Sequence, residues 1–162
     1  HICVEVDGPR CHCGKLGCVE VMAAAPAIVR AATEAATTGE SPLLAALLEA
    51  NGVITPELVG QASRNGDAAA NRIIQESGNR IGQMLASVVN FFNHSHVFIG
   101  GGLTRTGPQL LASVRQSVYQ RSLALSTRHL EIQYTPLAER AGVVGAGVLA
   151  MQETLKHRKA MA

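Results

Sequence analysis

Residues 68–92 carry the clearest pattern in the chain. Ile73, Ile74, Ser77, Ile81, Leu85, Val88, Val89 and Phe92 recur at spacings of three and four. That is the period of an α-helix with one buried face. Gly78, Gly82 and Ala86 lie along the same stretch and are small enough to let a second backbone approach closely. Such a helix is expected at the core, and the same face would also suit a partner subunit. The pattern then shortens. Val97-Phe98-Ile99 reads as an apolar strand that runs into Gly100-Gly101-Gly102, followed by a helix from Pro108 to about Ser122. Leu130–Tyr134 alternates as a second strand, and residues 141–157 form a last helix. Gly142, Gly145 and Gly147 each cost that helix about 1 kcal/mol against alanine. The expected return is close packing on the sheet or at a ligand cleft. The polar end, Lys156–Ala162, is expected to fray. The succession βαβα predicts two parallel strands joined by a right-handed crossover.

Upstream of the long helix, turn and cap residues divide the chain. Residues 1–6 alternate like a strand end, and Asp7-Gly8-Pro9 is a turn. Val19–Ala24 is a short helix, and Pro26 suits the first turn of another that runs to about Thr37 and stops at Gly39. Ser41-Pro42 and Thr55-Pro56 each pair a capping hydroxyl with a first-turn proline. They predict helices over Leu43–Ala50 and from Pro56 to about Arg64, closed by Asn51-Gly52 and Asn65-Gly66. Asp67 caps the long helix. The resulting expectation is an α/β, helix-rich single (partial) domain over 1–162, with a loop at 1–20, a helical region at 21–94 and a βαβα unit at 96–157.

Composition narrows this little. With 162 residues, 47% of them hydrophobic, the chain is long enough for one packed core. It has three Phe, two Tyr and no Trp, so Ala, Val, Leu and Ile must fill that core. The net charge of +2 is scattered, which leaves no electrostatic footprint for nucleic acid within these residues. No apolar run approaches the ~18 residues of a membrane span, and no signal peptide is visible. Clustered thiols without a wider disulfide framework fit a reducing compartment, hence the cytoplasm.

The chemistry gathers in the first twenty residues. His1, Cys11, Cys13 and Cys18 follow the spacing H-x9-C-x-C-x4-C, with Gly14 and Gly17 inside the loop. Thiolate and imidazole donors suit tetrahedral zinc, and glycine permits the positive φ that a sharp loop needs. Free thiols or a disulfide are the plainer readings, although a Cys11–Cys13 disulfide would be strained. Cys3 and His12 are further donors. An all-cysteine set with Cys3 in place of His1 stays open, with His1 favoured because Cys3 falls in the alternating run Ile2, Val4, Val6. By itself the triple glycine is a tight turn, since it lacks the Lys-Ser/Thr of a P-loop. His94 and His96 have no third ligand nearby, and His129 and His157 look like surface residues. Asp7, Asp67 and Glu139 sit in turn or cap contexts, and no general-base or nucleophile constellation stands out.

The stretch H-I-x-V-x-x-x-G-P-x-C-x-C-G-x-x-G-C-x-E resembles the signature of the ROK family of repressors, open reading frames and sugar kinases, with further matches almost to the C-terminus. The resemblance implies the C-terminal portion of an actin-like ATPase, ribonuclease H-like sugar-kinase fold, preceded in the chain by the rest of its sheet. It implies a structural zinc on His1, Cys11, Cys13 and Cys18, and a sugar or sugar phosphate bound by His1 and Glu20. Gly100, Gly101 and Gly102 would lie beside the adenosine of ATP in a kinase. Arg121–Ile132 looks more like the family's regulators than its glucokinases. The first expectation is therefore the effector-binding and oligomerisation part of a carbohydrate-responsive transcriptional regulator, touching DNA only through an N-terminal domain. The alternative is part of an ATP- and Mg-dependent sugar kinase. A zinc-stabilised interaction module without small-molecule chemistry is the third. The chain opens without Met and inside the signature, so a truncated, catalytically inactive and self-associating fragment is expected.

Overall fold

The computed structural model describes residues 1–137 and 140–160. Its elements follow the predicted order. Helices α1 (Val19–Ala23), α2 (Ala25–Thr37), α3 (Pro42–Asn51), α4 (Pro56–Arg64) and α5 (Ala68–Phe92) come first. Strand β1 (His96–Ile99) leads through a 3-10 turn, Gly102–Thr106, into α6 (Pro108–Arg121). A short α7 (Ala124–Thr127), strand β2 (Glu131–Tyr134) and helix α8 (Ala141–Ala160) complete the chain.

The cap residues act as their chemistry requires. Ser41 Oγ accepts the Leu44 N–H at 3.0 Å and donates to Asp67 at 2.6 Å. Asp67 in turn accepts the Ala70 N–H at 2.8 Å. One buried hydroxyl and one carboxylate thus cap α3 and α5 and tie their starts together. Thr55 accepts from the Leu58 N–H at 3.4 Å, and Gly52 closes α3 with φ 72°.

Helix α5 forms the central wall. It buries Ile73, Ile74, Ile81 and Val89, with Leu85 half-buried. Against it lies α6, so close that a Cβ on Gly78 would stand 2.5 Å from Ser113 Cβ, and one on Gly82 would overlap Ser117. The serines' hydroxyls are satisfied by the helix carbonyls of Gln109 and Asn79. Strands β1 and β2 pair in parallel, His96 with Glu131 through Ile99 with Tyr134, as the βαβ reading requires. Three polar contacts tie α6 and the preceding Gly107 to β2 and the preceding Leu130. Arg115 donates to the Ile132 carbonyl at 2.8 Å, Tyr119 to that of Leu130 at 3.1 Å, and Tyr134 reaches Gly107 at 2.7 Å.

Four details differ from the sequence reading. Residues 1–6 form no strand beyond a single antiparallel bridge, Cys3 with Cys18, because Val4 and Glu5 N–H groups both turn onto the Gly17 carbonyl. Phe92 is 62% exposed at the end of α5 and stacks on His94 instead of entering the core. Helix α7 has no periodic signal; Asn90 orders the segment by accepting the Leu123 N–H and donating to the Arg121 carbonyl. The close packing expected of Gly142, Gly145 and Gly147 is also absent among the described residues, where nothing lies within 4 Å of a Cβ built at any of them. Val143, Leu149 and Met151 of α8 are exposed, since two strands present too little surface to cover that helix. Glu139 and the side chain of His157 lie outside the described residues.

Gly82→Ala would gain about 1 kcal/mol of helix propensity, but the overlap with Ser117 costs roughly 1–3 kcal/mol. Net destabilisation in chemical denaturation is expected. Burial pushes the Tyr134 phenol above its ordinary pKa, and only the neutral form donates to Gly107. The unfolded chain therefore ionises first, so this contribution is complete below about pH 10 and is lost as pH rises further. Tyr134→Phe should flatten the alkaline limb of a stability–pH profile.

Candidate metal and sugar site

The loop 1–18 is shaped by backbone contacts. Gly17 donates to the Pro9 carbonyl at 2.9 Å and accepts from Val4 at 2.8 Å. Cys11 donates to Lys15 at 2.8 Å, and Gly14 donates back to Cys11 at 2.9 Å. Gly14 has φ 87° and Gly17 φ 58°. At Gly17 a side chain would also collide with the Glu5 carbonyl, and a Cβ on Gly8 would lie 2.6 Å from Gly17 Cα. Two backbones thus cross where no side chain fits. The loop is fastened to α5 by the Glu5–Arg80 ion pair at 2.5 Å. Its exit helix α1 is fastened by Ser77, which donates to the Ala23 carbonyl at 2.6 Å inside the core.

This path brings His1, Cys11, Cys13 and Cys18 together, with one donor atom from each and all of them within 4.8 Å of one another. His1 Nδ1 is 3.3 Å from Cys11 Sγ, and Cys13 Sγ is 3.6 Å from Cys18 Sγ. Cys11 and Cys18 are buried, while His1 and Cys13 face solvent. Cys3 is not part of the group: its thiol turns to the Glu5 carbonyl at 3.5 Å. His12 is exposed and outside it too. Such a cluster can hold a metal ion. Its electrostatics favour one, because three adjacent thiols cannot all ionise without a countercharge. The Lys15 backbone N–H, helped by the neighbouring Cys18 and Cys11 thiols, holds Cys13 below the ordinary thiol value against the opposing effect of burial. Burial, reinforced by Cys13 and Cys11, pushes Cys18 up to about 11.

Glu20 stands in the first turn of α1, exposed, two residues past Cys18. It borders a cavity of about 170 Å³ lined by Val19, Glu20, Ala24, Ile81, Met84 and Leu103. Ile81 and Met84 went unmarked as site residues, although their spacing of three on α5 puts them on the side of that helix nearest α1. The glycine segment reaches the same neighbourhood. Gly101 takes φ 77°, and a Cβ on Gly102 would sit 3.3 Å from Ala25. Gly100, Gly101 and Gly102 are exposed and lead through the 3-10 turn to α6, the strand–turn–helix arrangement read from the sequence. His94 and His96 stay apart from the cluster on the exposed sheet end, stacked on Phe92 and Phe98. His129 is exposed.

A family model described as "ROK family" matches residues 1–153. The chain is 33% identical over 154 residues to a glucokinase of Halalkalibacterium halodurans, covering 94% of this chain and 47% of that one. Among solved structures, a ROK family glucokinase from Streptomyces griseus in complex with glucose and AMPPNP superposes with a TM-score of 0.79 at 33% identity, over 94% of this chain and 50% of that one. A ROK family transcriptional regulator, homologous to the E. coli Mlc protein, superposes with a TM-score of 0.71 at 32% identity, over 83% and 33%. The chain thus spans about half the length, or less, of the proteins it matches. No helix among the described residues is long and apolar enough to cross a membrane.

The two loop glycines should separate in effect. Gly14 has open space around it, so Gly14→Ala costs only the strained φ, on the order of 1 kcal/mol. Gly17→Ala adds a backbone collision and should unfold the loop. Amide hydrogen exchange over residues 1–20 would show protection kept in the first variant and lost in the second.

Proposed function

This chain belongs to the ROK family, and on that premise we propose that it is the sugar-binding and oligomerisation part of a carbohydrate-responsive transcriptional regulator, acting in the cytoplasm. The convergence of His1, Cys11, Cys13 and Cys18 carries the reading. Two zinc–sulfur bonds of about 2.3 Å at a tetrahedral angle put the sulfurs about 3.8 Å apart, and a zinc–nitrogen bond brings nitrogen and sulfur to about 3.6 Å. The separations of 3.6 and 3.3 Å in the cluster are close to those values. Zinc supplies order here: it fixes a loop that lacks the apolar residues to fix itself.

His1 turns Nδ1 toward Cys11, which leaves Nε2 for a sugar hydroxyl. Glu20 offers a carboxylate to a second hydroxyl from the start of α1. The loop, α1 and α5 are joined by the Glu5–Arg80 and Ser77–Ala23 contacts. Sugar that binds one arrangement of these elements better than another shifts the balance between them. In a regulator, that shift would reset the spacing of DNA-binding parts carried elsewhere in the protein. The exposed apolar side chains of α8, with Leu123, Leu125 and Phe91, favour self-association.

The identity of 33% to glucokinases supports a second reading, part of an ATP-dependent sugar kinase. There Gly100, Gly101 and Gly102 would lie against the nucleotide, with Mg bound alongside its phosphates.

Elemental analysis should find one zinc per chain, lost in Cys18→Ser. Titration calorimetry with glucose, N-acetylglucosamine and their 6-phosphates should show binding by the zinc-loaded protein. Glu20→Gln should weaken it about tenfold or more, the scale of a hydrogen bond to a charged group, with His94→Ala unchanged. No heat with any of these sugars would overturn the sugar-binding reading. ATP-dependent sugar phosphorylation would replace the regulator with the kinase.

A further inference from the structure

Cys3 is the thiol that the metal cluster leaves over, and its position is specific. Cys3 and Cys18 face each other as an antiparallel bridge. The hydrogen bonds flank the pair: Val19 N–H to Ile2 at 2.9 Å on one side and Val4 N–H to Gly17 at 2.8 Å on the other. That makes it a non-hydrogen-bonded pair, in which facing Cα atoms stand about 4.5 Å apart and the side chains project from the same side. A disulfide spans Cα separations of about 4.4–6.8 Å. Cys3 is exposed and holds only a 3.5 Å contact to its own segment, so rotation of its side chain brings its sulfur to Cys18.

We propose that Cys3 and Cys18 form a reversible disulfide under peroxide, and that this bond removes Cys18 from the metal-donor set. The ion-release half rests on the zinc reading above; the pairing of the two sulfurs does not. Hydrogen peroxide converts the exposed Cys3 S–H to a sulfenic acid, S–OH, releasing one water. The Cys18 thiol then attacks the Cys3 sulfur: the S–S bond forms as the S–H and S–O bonds break, and the departing hydroxide takes up the thiol proton as a second water. The cysteine pair loses two electrons and the peroxide gains two. With Cys18 gone, the cluster keeps His1, Cys11 and Cys13 and loses its most deeply buried sulfur. The loop stays closed across the same isolated bridge, so the oxidised state is a folded one that thiol reductant can reverse. Neighbouring pairs compete poorly. Cys11 and Cys13 are too close in sequence for an unstrained bond, and in a zinc-loaded chain the exposed Cys3 would be the one cysteine outside the donor set, so peroxide meets it first.

Tryptic mapping separates the outcomes, because Arg10 and Lys15 place Cys3, Cys13 and Cys18 on different peptides. After peroxide, peptide 1–10 linked to peptide 16–30 is expected as the main product, with zinc release followed by a chromophoric chelator and reversed by dithiothreitol. Cys3→Ser should bind zinc normally, form no such link and release zinc at least about tenfold more slowly. The metal-free Cys13→Ser chain, which removes the competing thiol, should give the same linked peptides, so a failure to bind zinc is distinguishable from a failure to pair. A main link between 11–15 and 16–30, sulfinic acid at Cys3 without a link, or equal release from Cys3→Ser would each overturn the proposal.

Discussion

Helix α5 can stand where it does only because Gly78 and Gly82 have no side chains. Their absence lets α6 lie against the helix backbone, with Ser113 and Ser117 in the gaps. The other elements take their places from this contact. Helix α6 holds β2 through Arg115, Tyr119 and Tyr134. β2 holds β1 in parallel register, and β1 delivers the glycine turn to the neighbourhood of α1. On its other flank α5 takes α1 through Ser77 and the opening loop through Arg80. A helix with larger residues at those two positions would push α6 outward and carry the sheet with it.

The opening loop obeys a different physics. Apart from Cys11 and Cys18 it buries little, and Ile2 and Val6 are largely exposed. Its shape comes from backbone hydrogen bonds and from two glycines that cross where no Cβ fits. Three sulfurs and one imbalance of charge result: Cys18 is driven toward the neutral thiol while Cys13 is drawn toward the thiolate. A divalent cation would resolve that conflict by compensating all the sulfurs at once. The chain therefore joins a core that packing stabilises to a loop shaped by its own backbone contacts, with the Glu5–Arg80 ion pair and Ser77 at the joint.

The unused surfaces follow from the same layout. One face of the small sheet rests on α6, while Phe98 on the other is 57% exposed. Helix α8 presents exposed apolar side chains and three uncovered glycines. Small residues in a helix are consistent with close approach of another backbone, and the described residues do not supply one.

Local chemistry made much of this legible in one dimension. Ser41, Thr55 and Asp67 announced three helix starts, because a capping oxygen and its N–H partner lie within three residues of each other. The spacing of apolar residues located α5, and the kinds of donor at positions 1, 11, 13 and 18 marked the cluster. Only the tertiary structure decided which donor stays out: the Cys3 thiol turns to the Glu5 carbonyl, an orientation that no periodicity records. It alone placed Glu20 beside Ile81, Met84 and Leu103, residues up to 83 positions away. It also left Phe92 in solvent, since the helical period says which face a residue occupies but not where the covering neighbour ends. Hydrogen bonds between near neighbours are written in the sequence; the meeting of distant surfaces depends on volumes that only the packed chain defines.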